Sequence, residues 1–138
     1  SILQRYKNQI KMAEKISYEM EFVVNSSPTM LYKYLSTPSG LSGWFANNVN
    51  SRDNHFTFYW ERSEQSAELI SKKKNEFVRF RWEDDDEESF FEFKIQIDDL
   101  TKDIALIITD FADDEEEVEE NKMLWESQVN KLKSVIGG

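Results

Sequence analysis

Large aromatic side chains recur at every second position in three separate segments of this 138-residue sequence. The segments are Phe56-x-Phe58-x-Trp60, Phe80-x-Trp82 and Phe91-x-Phe93. Because side chains two residues apart on a β-strand lie on the same face of the sheet, this spacing places each set on one face. A face covered with rings either fills a hydrophobic core or lines a pocket for flat or apolar molecules, and the sequence leaves both alternatives open.

The residue types that catalysis and metal binding need are sparse. His55 is the only histidine and there is no cysteine, so the chain alone offers neither a histidine pair for a metal nor a cysteine nucleophile. Strand alternation takes His55 to the face opposite Phe56, which predicts an imidazole in solvent. The positions predicted to face inward are almost wholly apolar, with the tryptophan N–H groups as their polar atoms. We therefore predict no catalytic residue, no metal site and no cofactor.

Charged residues are concentrated in two acidic runs. The net charge is −10, yet residues 83–88 are all acidic, as are seven of the eight residues 113–120. The near-neutral remainder argues against a nucleic-acid surface and against docking on anionic membranes. The first run lacks the spacing of a calcium loop and is interpreted as a solvated turn, and the second suits a helix start. Together they could face a basic protein partner. Arg79 and Arg81 are predicted to pair with glutamates on neighbouring strands, such as Glu92.

Hydrophobic periodicity and helix-capping residues predict the secondary structure. Ser27-Pro28 and Thr37-Pro38 are typical of helix starts, because Ser and Thr cap a helix and proline is tolerated in its first turn. Gly40 and Gly43 are expected to loosen the second of these short helices. Short polar links between the later strands favour an antiparallel meander. The predicted strands and terminal helix are Ser17–Val24, Asn48–Arg52, His55–Trp60, Ala67–Lys72, Phe77–Trp82, Ser89–Ile97, Ile104–Phe111 and Glu115–Ile136.

This order of elements resembles the helix-grip fold of the START-like (SRPBCC, birch-pollen-allergen-like) superfamily, over residues 17–136. The likeness is more specifically to small proteins related to the C-terminal domain of the heat-shock-chaperone ATPase activator. It implies an α+β fold in which a curved antiparallel sheet wraps around a long C-terminal α-helix. The motifs that carry the resemblance are Ser27-Pro28, Leu41 with Trp44-Phe45, Phe56-x-Phe58-x-Trp60, Phe80-x-Trp82, and Trp125 with Leu132.

The resemblance also implies a cavity between the concave sheet face and the terminal helix, usually for apolar ligands. Two loops at the implied rim depart from the family pattern. Residues 51–55 lack the usual glycines, and residues 110–113 are Asp-Phe-Ala-Asp where relatives often have Gly-Phe. No particular ligand or partner is therefore carried over. The implied lining residues are Trp44, Phe45, Phe58, Trp60, Phe80, Trp82, Phe91, Phe93, Trp125, Val129 and Leu132.

The length predicts a single domain, which we place at residues 12–138. Residues 1–11 are either an extension outside that domain or a genuine helical arm. We predict a non-enzymatic START-like domain that binds a small hydrophobic or aromatic ligand. The alternatives are a co-chaperone-like interaction module with a filled core and an acidic surface, and, third, an enzyme of the cyclase or hydrolase type. The absence of cysteine favours a reducing compartment, so a cytoplasmic location is expected.

Overall fold

The computed structural model describes residues 15–137, so the prediction for residues 1–11 lies outside the described part. Within it, a strand is followed by two short helices, six strands and a long helix. None of these helices is both long and apolar enough to cross a membrane. The strands are β1 (Ile16–Val24), β2 (Asn48–Arg52), β3 (His55–Trp60), β4 (Ser63–Lys73), β5 (Phe77–Trp82), β6 (Phe91–Ile97) and β7 (Ile104–Ala112). The helices are α1 (Pro28–Ser36), α2 (Pro38–Leu41) and α3 (Glu115–Ile136).

The seven strands form one antiparallel sheet in the order β1-β7-β6-β5-β4-β3-β2. Strands β2 to β7 are neighbours in chain order, as the short polar links predict, and β1 pairs with β7 along its whole length. A register shift between Leu69 and Ser71 interrupts the pairing of β4 with β5. Such irregularities bend the strand that carries them and increase its twist. The α+β helix-grip architecture expected from the sequence is confirmed.

Several strand boundaries differ from the predicted ones, for local reasons. Strand β4 begins at Ser63 rather than Ala67, because a two-residue turn pairs Ser63 directly with Trp60 although its first residues carry no apolar pattern. Strand β6 begins at Phe91 rather than Ser89. The Asp86 carboxylate accepts hydrogen bonds from the backbone N–H (2.9 Å) and hydroxyl (3.0 Å) of Ser89, which holds that residue in the preceding turn.

A tight corner joins α1 to α2, and glycine makes it possible. A Cβ atom at Gly40 would lie 2.1 Å from the backbone oxygen of Lys33, so Gly40 allows close packing of the two helices rather than loosening the second. The N–H of the Trp44 indole donates to the Tyr34 carbonyl at 2.8 Å. Pro38, four residues after Tyr34, has no N–H to offer that carbonyl. The corner therefore fixes Trp44-Phe45 against the sheet.

Helix α3 begins and ends as its sequence predicts. The Asp114 side chain accepts a hydrogen bond from the backbone N–H of Glu117 at 2.8 Å, and acidic residues fill the first turn. Gly137 ends the helix in a left-handed conformation, with φ of 97°. The residues of α3 that are buried against the rest of the protein are Val118, Trp125, Val129 and Leu132.

A cluster of phenylalanine rings fills part of the concave sheet face. Phe58, Phe80, Phe91 and Phe93 are all at most 1% exposed. The Phe80 ring lies 5.2 Å from that of Phe91, 6.1 Å from that of Phe58 and 6.4 Å from that of Phe93, measured between centroids. These distances are typical of rings in direct contact. We call these four residues the ring core.

Candidate ligand-binding site

A cavity of about 730 Å³ lies at one end of the interface between the sheet and α3. The end of β3, the start of β4 and the end of β5 form one side of it, and α3 from Glu117 to Gln128 forms the other. The turn between β5 and β6 and the end of β7 complete the rim. Its aromatic lining residues are Phe45, Trp60, Trp82, Phe111 and Trp125. Its charged lining residues are Lys15, Asp85, Asp110, Asp113 and Glu117.

The aromatic wall is built around Phe45. Its ring lies nearly parallel to that of Trp82 (centroids 6.4 Å apart, 19° between planes) and to that of Trp125 (5.7 Å, 18°). The Phe45 carbonyl accepts hydrogen bonds from the Trp60 indole N–H at 3.1 Å and from the Gln128 side-chain amide at 3.0 Å. These bonds tie the helical corner, β3 and α3 together at one residue. The wall is therefore formed by the protein's own contacts.

The structure divides the eleven residues of the predicted lining into two groups. Phe45, Trp60, Trp82 and Trp125 line the cavity. The other seven lie deeper, where they pack against one another and are at most 2% exposed. These deeper residues are Trp44, Phe58, Phe80, Phe91, Phe93, Val129 and Leu132.

Asp110, on β7, is a polar residue of the cavity that the prediction of an almost wholly apolar inner face overlooked. Its Oδ2 accepts hydrogen bonds from the Trp125 indole N–H at 3.1 Å and from the Tyr18 hydroxyl at 3.2 Å. Its Oδ1 accepts one from the backbone N–H of Phe111 at 2.8 Å. Burial raises the pKa of Asp110 from 3.8 to about 6, although these hydrogen bonds act in the opposite direction. Asp110 is thus a carboxylate at neutral pH, held by neutral donors.

The sequence does contain a signal for Asp110. On β7, Leu106, Ile108 and Ala112 are buried at alternating positions. Asp110 belongs to the same alternating set, so its side chain lies on the same face of the strand. Its partner across the sheet is Tyr18 on β1, whose side chain is also buried. Burial, followed by the charge of Asp110, raises the pKa of Tyr18 well above its usual value, so the phenol stays protonated and donates. Strand alternation places Asp110 inside the fold even though its residue type suggests solvent.

Lys15 anchors the acidic turn at the rim of the cavity. Its Nζ lies 2.6 Å from Oδ1 of Asp85 and 3.2 Å from Oδ2 of Asp86, and it also donates to the Ser89 hydroxyl at 3.0 Å. The interpretation of residues 83–88 as a solvated turn is therefore correct for only part of the run. Glu83, Asp84, Glu87 and Glu88 are exposed, whereas Asp85 and Asp86 are half-buried and bind Lys15.

The remaining charged candidates lie outside the cavity. His55 is exposed, as predicted, and its Nδ1 lies 2.8 Å from a carboxylate oxygen of Glu83. Arg79 pairs with Glu92 at 2.7 Å, as predicted, and its guanidinium lies 4.0 Å from the centroid of the Phe90 ring. Arg81 differs from the prediction, because its Nε donates to the backbone carbonyl of Ser89 at 3.0 Å rather than to a glutamate. In the described part of the chain, no group of three or more acidic, histidine or cysteine side chains could hold a metal ion.

A curved antiparallel sheet gripping a C-terminal helix, with a ring-lined cavity between them, defines the START-like class of domains. The chain belongs to this superfamily, because the family model for START-like superfamily domains matches residues 12–138. The superfamily resemblance inferred from the sequence is therefore confirmed. A comparison with curated proteins gave no match.

Solved structures give the same result for the fold. The chain is 37% identical to BfR322 from Bacteroides fragilis, covering 88% of this chain and 91% of that one, with a TM-score of 0.64. The Aha1 dimer from Colwellia psychrerythraea matches at 14% identity and a TM-score of 0.73, covering 88% and 96%. CalU16 from Micromonospora echinospora matches at 13% identity and a TM-score of 0.62, covering 88% and 73%. The last two similarities concern the fold alone.

Proposed function

We propose that this protein is a non-enzymatic binding domain that holds a small hydrophobic or aromatic molecule between the sheet and α3. The observation that carries the proposal is the cavity of about 730 Å³ with Phe45, Trp60, Trp82 and Trp125 in its wall. Pockets for small ligands fall in the range of about 300–1,000 Å³ and are lined mainly by apolar and aromatic side chains. Both the size and the lining of this cavity fit that class.

The fixed position of the wall also supports binding. The Trp60 and Gln128 hydrogen bonds to the Phe45 carbonyl hold three elements of the wall in place. A wall that is already ordered loses little conformational entropy when a ligand enters, which favours affinity. Both oxygens of Asp110 already accept hydrogen bonds from the protein, which suits a recognition group better than a group that must exchange protons with a substrate.

Binding of N-phenyl-1-naphthylamine, an uncharged dye that fluoresces in apolar surroundings, tests the proposal. We expect saturable binding of one dye per chain. Trp60→Ala should weaken it by about tenfold, because the variant removes one large ring from the wall. Tyr59→Ala is the matched control, since Tyr59 is the neighbouring large ring on β3 and does not line the cavity. No saturable binding, or equal losses in both variants, would refute the proposed cavity function.

Native mass spectrometry of the purified protein, paired with solvent extraction under denaturing conditions, addresses the natural ligand. A stoichiometric extra mass that is released on denaturation identifies the chemistry of the bound molecule directly. The dye titration is still the test of the cavity itself, because a natural ligand can be lost during purification.

The second candidate function is an interaction module that binds a basic protein through its acidic turn. The observation that favours it is the exposure of Glu83, Asp84, Glu87 and Glu88 on one turn. Replacing Glu83, Glu87 and Glu88 with Gln should then weaken a salt-sensitive association with a basic partner. Under this hypothesis the triple variant loses the partner while dye binding is unchanged.

A further inference from the structure

The Asp110 carboxylate lacks a cationic partner within the described part of the chain. Its three hydrogen bonds come from Tyr18, Trp125 and the backbone of Phe111, all of which are neutral donors. Lys15, the one basic residue among the described residues that line the cavity, is bound to Asp85 and Asp86 on the acidic turn. A carboxylate that is largely removed from water is usually stabilised by a cation, by hydrogen bonds, or by both. Asp110 has the hydrogen bonds but no cation among the described residues.

The described lining of the cavity has more acidic than basic side chains. Among the residues that the structure describes, Asp85, Asp110 and Glu117 line it against Lys15. The beginning of α3 partly offsets the charge of Asp113 and Glu117, because a helix N-terminus stabilises nearby anions. Asp110 precedes the helix on β7 and lies deeper along the wall, where its Oδ2 contacts Trp125.

The rings of the same wall favour positive charge as well. A cation positioned over the face of a tryptophan or phenylalanine within about 6 Å of its centroid is attracted by the electrons of the ring. The cavity has Trp60, Trp82 and Trp125 in its lining, and Trp125 meets Asp110 through the N–H edge of its indole. A cavity lined by both indole rings and a carboxylate combines the two kinds of group that recognise organic cations.

We infer that the ligand of this cavity is an aromatic or aliphatic molecule that carries a protonated nitrogen, with its apolar body against the rings and its ammonium at Asp110. The inference rests on the proposed function, since it names the chemical class of molecule that the same cavity accepts. The apolar part of such a molecule fits against the aromatic lining of the cavity, and its ammonium group supplies a cation for Asp110.

Three probes with the same naphthalene ring and a similar short arm separate charge from shape. They are 2-(1-naphthyl)ethylamine, which is a cation, 2-(1-naphthyl)ethanol, which is neutral, and 1-naphthylacetate, which is an anion. Calorimetric titrations at about pH 8 keep Asp110 ionised, because this is well above its pKa. We expect the amine to bind about tenfold or more tightly than the alcohol, with the acetate weakest of the three.

Two substitutions locate the selectivity. Asp110→Asn should reduce the affinity for the amine by about tenfold, to near that of the alcohol, and leave the affinity for the alcohol unchanged. Glu117→Gln, at the rim, should reduce the affinity for the amine less. Glu119→Gln is the matched control, since it removes the same charge from the exposed side of α3 outside the cavity lining, and it should leave all three affinities unchanged. Near-ultraviolet circular dichroism checks that each variant retains the native packing.

The possible outcomes separate this inference from the function on which it rests. If the three probes bind equally, or the acetate binds best, the cavity accepts apolar molecules and the inference about charge is wrong. If Asp110→Asn and Glu119→Gln reduce amine binding to the same extent, the attraction is a general effect of net charge and the assignment to Asp110 is wrong. If none of the probes binds and the uncharged dye does not bind either, both proposals fail. The wild-type series alone decides the inference even where Asp110→Asn does not fold.

Discussion

The two ends of the space between the sheet and α3 contain the same kinds of residue and differ in how these are packed. In the ring core, Phe58, Phe80, Phe91 and Phe93 are almost completely shielded from solvent. Two residues further along β3 and β5, Trp60 and Trp82 are only partly buried and line a cavity. Alternation places all of these side chains on the inward face of the sheet, but it does not determine whether each one is packed in the core or lines the cavity.

The elements that lie opposite the sheet account for this difference. Over the ring core, the sheet faces the Trp44-Phe45 corner and the apolar residues Val129 and Leu132 of α3, which are buried there. At the cavity, α3 presents polar residues beside Trp125, among them Glu117, Asn121 and Gln128. Polar side chains retain water and leave space beside the rings. A pocket therefore forms where polar residues of the helix lie opposite the rings of the sheet.

The largest expected effect comes from opening the ring core. Phe80→Ala should lower the free energy of unfolding by about 3–5 kcal/mol, because it leaves a cavity where the ring contacts four other buried rings. Trp60→Ala, which removes a larger ring at the cavity, should cost only about 1–2 kcal/mol, since part of that ring is already unpacked. Urea unfolding followed by circular dichroism measures both. Equal losses would mean that the two ends of the interface are packed alike.

The next largest effect is a pH dependence that comes from the cavity end. The pKa of Asp110 is about 6 in the folded protein and 3.8 in the reference state, a rise of about two units or about 3 kcal/mol. Because the folded pKa is raised, ionisation of this carboxyl destabilises the native state above about pH 6. That cost disappears as the pH falls from about 6 towards 4. The stability of the wild type should therefore increase relative to Asp110→Asn across this interval, by up to about 3 kcal/mol.

Urea unfolding of both proteins between about pH 4.5 and pH 7.5 measures this difference. Two nearby groups, Tyr18 and Asp86, do not add a stability change of the same kind in this pH interval. Tyr18 remains protonated throughout, and the pKa of Asp86, which burial would raise, is held below 3.8 by hydrogen bonds from Lys15 and Ser89. Parallel stability curves for wild type and variant would contradict the assigned pKa.

Much of the fold could be predicted from the sequence because local rules determine it. The boundaries of β2, β3, β5 and α3 agree with the predicted ones, since alternation, polar turns and helix caps all act over a few residues. The start of β4 could not be predicted in this way. Its first residues are polar, and they form a strand only because a tight turn pairs them with β3.

The site was harder to predict because it depends on contacts between distant segments. Periodicity identifies the inward rings, but it cannot distinguish Phe58 in the ring core from Trp60 at the cavity, two positions along the same strand. The assignment depends on residues of α3 that are distant in sequence, as the bond between Gln128 and the Phe45 carbonyl, 83 residues apart, illustrates. Asp110 was overlooked for a different reason. Its position in the alternation of β7 indicates the interior, whereas an acidic side chain is usually interpreted as exposed.

The smallest expected effects distinguish two indole N–H groups, one from each end of the interface. Trp44 donates to the Tyr34 carbonyl, and Pro38 cannot replace it as the helical donor. Trp44→Phe should therefore cost about 1–3 kcal/mol, because a carbonyl beside a buried ring loses its partner. Trp60→Phe should cost less than about 1 kcal/mol, because the Phe45 carbonyl keeps its hydrogen bond from Gln128.

Thermal and urea unfolding of these two variants, with Gln128→Ala added to each, test the argument. In the Trp60→Phe background, Gln128→Ala should cost more than it does in the wild type, because the Phe45 carbonyl then loses both donors. In the Trp44→Phe background the same change should be additive, since Tyr34 and Phe45 have separate donors. Additivity in both backgrounds would mean that the Phe45 carbonyl does not hold the wall together. The cavity would then depend on ring packing alone.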